Sequence, residues 1–167
     1  MEHAPKVLLD STILLSAHLA PSTERDACRV VLSMAEQGRI RAHICGHALS
    51  RIIEELGKAL GRDSTTQWIT NARNYLEVAT TTAEVLDAAL RQMDGMDRIY
   101  FDDAITMQTA DLQQMEWILT LNDDDFATAT TPIAHPQQLL DRLQQRAGSL
   151  GGGASTTDTP SDRANAA

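Results

Sequence analysis

Lys6-Val7-Leu8-Leu9-Asp10 is the stretch on which the fold turns. Three aliphatic residues run together and stop at an acid. So short and continuous an apolar run is characteristic of a strand buried on both faces, as in a parallel sheet. Asp10 then sits at the C-terminal end of that strand. Arg41 to Cys45, Leu76 to Thr80 and Trp117 to Leu121 are further strand candidates, and Pro132-Ile133-Ala134 is a last short one.

Helical segments separate these runs. Thr12 to Leu19 is the first. Pro21-Ser22-Thr23 breaks the chain, with Thr23 and Asp26 placed as a capping box. Ala27, Val30, Val31, Met34 and Ala35 then recur at helical spacing, and Gly38 is placed as a C-cap. His47 to Leu60 ends at Gly61. Ser64 to Tyr75, Ala83 to Met93 (closed near Gly95) and Asp102 to Met115 follow. Asn122-Asp123-Asp124-Asp125 reads as a polar loop, and Pro136 opens a final helix to about Gln145. Strands alternating with helices predict a three-layer α/β/α sandwich around a central, mainly parallel sheet. Right-handed crossovers collect the strand C-termini on one edge, where ligands of such sheets bind. One domain is expected over residues 1–146. From Ala147 the chain is Gly, Ser, Thr and Ala with little apolar bulk, so a disordered tail is expected over 147–167.

Composition narrows the function classes. Hydrophobic residues make up 43% of 167, which suits one globular domain with its own core. No segment approaches a membrane span and no signal peptide is legible, so a cytoplasmic protein is expected. Cys28 and Cys45 lie in apolar segments without CxxC spacing and read as reduced core residues. The net charge of −9 is unevenly distributed: Asp94 to Asp125 holds nine acids against Arg98 alone. A solvated acidic face is the usual meaning of such a run. Here several of the acids abut apolar segments instead.

Three separated acids are expected at the same sheet edge. Asp10 closes the first strand, where helix cap and metal ligand are equally good readings. Asp102 and Asp103 open a helix beside Tyr100-Phe101, and dipole-favoured first-turn acids would be the plainer account. Asp123 and Asp124 suit a solvated turn, whereas Phe126 anchors Asp125 near the edge. Carboxylates gathered without a cation raise one another's pKa. A hard divalent ion, Mg²⁺ or Mn²⁺, would relieve this and could activate water against a phosphodiester.

These residues carry a family resemblance. Asp10-Ser11-Thr12-Ile13-Leu14 resembles the opening Asp-Thr-Asn-Val-Leu of PIN-domain proteins. Asp103-Ala104 after Tyr100-Phe101-Asp102 is similar to their acidic pair followed by Ala at a helix start. Thr120-Leu121-Asn122-Asp123-Asp124-Asp125-Phe126 resembles Thr-Arg-Asn-x-x-Asp-Phe, and Ile133 to Leu140 looks like the closing strand and helix. The resemblance spans about residues 6–145. It implies a Mg²⁺- or Mn²⁺-dependent ribonuclease, often the VapC-like toxin of a toxin–antitoxin pair. RNA would be the substrate, with an antitoxin and a second copy as expected partners. Asp10, Asp103 and Asp125 would hold metal, and Thr12, Asn122 and Asp102 would support them.

One position departs from the pattern. The family carries a glutamate on the helix after the second strand, where Ala48-Leu49-Ser50-Arg51-Ile52-Ile53 puts Arg51. Glu54 and Glu55, three and four residues on, share its helix face, with Glu54 the preferred substitute catalytic acid. Alternatively, Arg51 replaces the acid and pairs with Asp10 or Asp103, giving a catalytically degenerate PIN-fold protein that acts by binding a partner or RNA. Arg51, Lys58 and Arg62 could form a basic face for RNA phosphates, although ordinary solvated charges are the plainer reading. His43, His47 and His135 lack metal spacing and read as packing or cap residues.

Overall fold

The computed structural model describes residues 4–94 and 99–151. Gly95, read above as a helix close, and residues 152–167 of the expected tail lie outside the described residues. In chain order the elements are β1 (Lys6–Leu9), α1 (Ser11–Leu19), α2 (Ser22–Glu36), β2 (Arg41–Cys45), α3 (Gly46–Leu60) and α4 (Arg62–Ala72). There follow β3 (Leu76–Ala79), α5 (Ala83–Met93), α6 (Phe101–Leu112), β4 (Trp117–Leu119), a 3₁₀ turn (Asp123–Phe126), β5 (Ile133–Ala134) and α7 (Pro136–Gly151). The five strands pair in parallel in the order β3-β2-β1-β4-β5.

Side-chain alternation along the strands builds the layers. Val7 and Leu9 of β1, Ala42 and Ile44 of β2, and Trp117 and Leu119 of β4 share one face of the sheet. They pack with Ile13, Leu14 and Ala17 of α1, Val31 and Met34 of α2, Ile52 and Leu56 of α3, and Leu139 of α7. Leu8, Cys45, Ala79 and Ile118 point the other way, onto Met107 and Ala110 of α6 and onto Phe126. Val85 and Ala89 of α5 close against Ala104 and Ile105 of α6. Every residue between Val7 and Leu9 is thus buried because its strand is covered on both sides, which is why the run reads as continuous.

Several boundaries shift for local reasons. The expected Thr23–Asp26 capping box is not formed: α2 begins at Ser22 behind Pro21, without a side-chain cap bond. Thr82, by contrast, caps α5 by accepting from the Val85 N–H at 3.2 Å. Gly61 adopts φ +85°, a left-handed turn that lets α4 start at Arg62 immediately after α3. The polar loop after β4 is a 3₁₀ turn, pinned by the fully buried Phe126. Helix α7 continues to Gly151, beyond the expected end near Gln145. Cys28 and Cys45 are both free and buried.

Candidate active site

Strand order fixes where the acids meet. β1 lies between β2 and β4, so the chain leaving β1 at Asp10 is flanked by the exits of both neighbours. Asp10 is the N-cap residue of α1, yet its carboxylate makes no capping bond. Hydroxyls hold it instead. Thr12 donates to Asp10 Oδ2 at 2.6 Å and Thr120 donates to the same oxygen at 3.0 Å. Ser11 donates to Oδ1 at 3.3 Å. Both threonines are themselves oriented by the chain leaving β4: Thr12 accepts from the Leu121 N–H at 3.2 Å and Thr120 from the Asn122 N–H at 3.0 Å. Two backbone donors therefore set two hydroxyls, and the hydroxyls set one carboxylate. The Asp10 carboxylate is thus held by side-chain hydroxyls from α1 and from the β4 exit, and not by the backbone N–H groups of a helix cap.

A cleft beside Asp10 is lined by Leu9, Ser11, Cys45, His47, Ala48, Arg51, Asp102, Asp103 and Thr106. Asp103, half-buried in the first turn of α6, has its carboxyl pushed up to about 6. Burial is the largest cause, followed by the charges of Asp125, Asp10 and Asp102, while Arg51 pulls the value down. Asp125 does not line the cleft, but its charge acts on Asp103 more strongly than that of Asp10. Asn122 donates its amide to Asp125 Oδ2, which turns that carboxylate against the 3₁₀ segment. Thus Asp10, Asp102, Asp103 and Asp125 share one electrostatic neighbourhood, supported by Thr12 and Asn122.

Glu54 and Glu55 are not brought to this cleft. Both are turned to Lys58, at 2.8 and 3.0 Å, on the exposed side of α3. The helix carries His47 and Arg51, one turn apart, toward the acids instead. Lys58 is consequently neutralised as a contributor to a basic face.

Sequence reasoning gave no part in the site to several side chains found there, Thr120 and His47 among them. Thr120 is fully buried and bridges Asp10 to the β4 exit. Its signal lay in register: Leu9 pairs with Leu119, so the next residues, Asp10 and Thr120, must lie side by side. His47, whose spacing suggests a packing or cap residue, lines the cleft. Thr106 donates to the Asp102 carbonyl at 2.8 Å, which leaves its oxygen to accept from His47 Nε2 at 3.4 Å. That contact favours the Nε2–H tautomer and leaves Nδ1 buried without a partner. Burial lowers the imidazole's pKa below its ordinary value, against the opposing charges of Asp102 and Asp10.

A divalent metal can be tested against these residues. Among the described residues, no three His, Cys, Asp or Glu side chains converge as a ready metal cage. The acids lining the cleft, Asp10, Asp102 and Asp103, offer hard oxygen donors beside His47 and Cys45, and Asp103 feels a net negative charge that Arg51 offsets in part. Mg²⁺ characteristically keeps several waters and binds through one or two carboxylates. The site fits that open mode and does not fit a closed three-carboxylate cage.

Fold and edge together define a class: a parallel α/β domain that gathers carboxylates beyond the ends of its central strands. The PIN domain family model matches residues 6–124, and the chain belongs to that family. A search of curated proteins gives no significant match. Among solved structures, the chain is similar to VapC20 of Mycobacterium tuberculosis, a Sarcin-Ricin loop cleaving toxin, at 14% identity. That alignment covers 73% of this chain and 94% of the other, with a TM-score of 0.60. A toxin–antitoxin complex from Klebsiella pneumoniae is similar at 18% identity, covering 78% and 97% with a TM-score of 0.59. VapBC2 from Rickettsia felis, bound to a DNA fragment from its promoter, gives 14% identity, coverage of 78% and 98%, and a TM-score of 0.62. At such identities the likeness is one of fold. No described helix is long and apolar enough to cross a membrane.

Proposed function

We propose that the chain is a metal-dependent endoribonuclease of the VapC-like kind, with RNA as substrate and an antitoxin protein as its natural partner. The observation that carries this is the pre-set Asp10 carboxylate, held by Thr12 and Thr120 in the charge field it shares with Asp103 and Asp125. A helix cap needs no such support.

Asp10 and Asp103 would hold Mg²⁺ or Mn²⁺, with Asp125 and Asp102 acting through charge and outer-sphere water. When bound, the ion supplies Lewis-acid polarisation of the phosphate and a lowered pKa for the attacking water. The chain's own residues do the rest. Thr12 and Thr120 hold the Asp10 carboxylate in place by donating to it. Asn122 orients Asp125. Membership of the PIN family and the toxin neighbours by fold support this function. A cytoplasmic location and a homodimer belong to the same proposal.

The test is cleavage of single-stranded RNA in Mn²⁺ by wild type, Asp10→Asn and Asp103→Asn, each checked for folding by circular dichroism. Loss of cleavage in both folded variants is expected. Undiminished cleavage in both would sink the proposal. Arg51 in the cleft favours one second reading, a PIN-fold protein that has lost catalysis and binds a partner. On that reading Mn²⁺ leaves the wild-type melting temperature unchanged, whereas metal binding raises it.

A further inference from the structure

Arg51 occupies the position where the family resemblance calls for a glutamate, and its surroundings show what an arginine can do there. It is the one lysine or arginine among the residues lining the cleft, which it shares with Asp10, Asp102 and Asp103. Its charge reaches Asp103, yet among the described residues it forms no ion pair within 4.0 Å and no hydrogen bond. A purely structural arginine beside three carboxylates would close onto one of them. The same helix shows the contrast one and two turns on, where Lys58 holds Glu54 at 2.8 Å and Glu55 at 3.0 Å. Arg51 is exposed, so its five donors stay open to solvent and to a ligand.

An RNA strand approaching this edge meets the field of four acids. Without a metal, nothing else in the cleft lining offers it a permanent positive charge, since burial disfavours the protonated form of His47. Helix α3 adds a smaller term of the same sign. Its cap residue Cys45 makes no side-chain cap bond, so its first-turn N–H groups present partial positive charge at the same strand ends.

On the basis of the proposed nuclease function, we propose that Arg51 is the phosphate-binding residue of the cleft. Its guanidinium grips non-bridging oxygens of the RNA backbone and positions the strand against Asp10 and Asp103. The planar fork suits a phosphate bidentately, which a lysine cannot match. The arginine thus exchanges one carboxylate of the site for a direct hold on the substrate. Strand placement then depends less on bound metal than in an all-acid cleft.

The experiment measures binding apart from cleavage. A short fluorescein-labelled single-stranded RNA of mixed sequence is titrated with wild type, Arg51→Gln and Arg51→Lys in EDTA, by anisotropy over a salt series. Arg51→Gln is expected to weaken binding roughly tenfold to a hundredfold, as for loss of a charged hydrogen-bonded contact. It should also lower the salt slope by about 0.7, the share of one phosphate on a single strand. Arg51→Lys should keep the slope and lose part of the affinity. Arg51 is exposed, so both variants are expected to stay folded, with circular dichroism as the folding control. Equal affinity and slope in Arg51→Gln would overturn the proposal, as would wild type that does not bind RNA in EDTA. A parallel cleavage assay in Mn²⁺ separates the two ideas. Binding that depends on Arg51 without any cleavage sinks the nuclease and keeps the phosphate contact. Cleavage with kcat/KM unchanged in Arg51→Gln keeps the nuclease and sinks the contact.

Discussion

Asp10 depends on residues that are far away in sequence. Thr120, 110 positions on, is fully buried and both donates to Asp10 Oδ2 and accepts from the Asn122 N–H. Thr120→Val keeps the shape but strips both bonds, leaving the Asn122 N–H without its acceptor and Asp10 with one donor fewer. We expect a loss of about 1–3 kcal/mol in urea unfolding, with RNA cleavage falling further than stability, and recovery of both in Thr120→Ser. Asp103 makes the opposite kind of contribution. Its carboxyl is pushed up to about 6, above the unfolded 3.8, so the folded state holds its proton more tightly than the unfolded state. Metal-free stability from this group therefore falls as pH rises between those values and stays low above them. Asp103→Asn should flatten that slope and melt higher than wild type at neutral pH in EDTA. With Mn²⁺ the order should reverse, because only wild type gains from metal. A variant that melts lower than wild type in EDTA would show that Asp103 is a structural acid. The sequence exposed these acids through their abutment on apolar runs. It hid Thr120, because a threonine at a strand end carries no charge and only β1–β4 register reveals its neighbour.

At the scale of elements, α3 decides what faces the cleft. His47 and Arg51 lie toward the acids, while Glu54, Glu55 and Lys58 form a solvent-side cluster. The sequence preferred Glu54 as the missing acid because residues three apart share a broad face. The observed cleft is narrower than that face, and Lys58 one turn further on offers Glu54 a closer partner. Glu54→Gln should accordingly leave cleavage and Mn²⁺-dependent melting unchanged, and a clear loss of either would return Glu54 to the site. The central strands β1 and β4 were legible because each is a short apolar run buried on both sides, while β3, with exposed Glu77 and Val78, was legible from its position between helices. The end of α4 and the start of α2 were not, since capping there is made by backbone geometry without a side-chain bond.

The whole molecule answers to pH through a residue far from any catalytic role. His43 lies on β2, in the middle of the sheet, 6% exposed, with Nε2 buried and unpartnered. Burial is the main cause that lowers its pKa. Arg41 and Lys6 act the same way, and Glu77, 3.8 Å from Nδ1, opposes them. The folded state therefore binds this proton less readily than the unfolded state. Stability from His43 is fully present above the unfolded value of 6.5 and declines as pH falls below it toward the lower folded value. The slope has the opposite sign to that of Asp103, whose protonation favours the fold. The wild-type acid profile is thus made of opposed terms, His43 and His47 on one side and Asp103 on the other. His43→Val suits a central strand and removes only one of them. Its urea midpoint, followed from neutral pH down to about pH 5, where an unperturbed His is largely protonated, should rise relative to wild type as the solution is acidified. A His43→Val/Asp103→Asn double variant should then keep the acid-side slope of His47, whose burial also lowers its pKa. If the single variant instead tracks wild type in parallel at every pH, His43 titrates no differently folded than unfolded, and the buried imidazole must gain a proton partner from Glu77 on acidification.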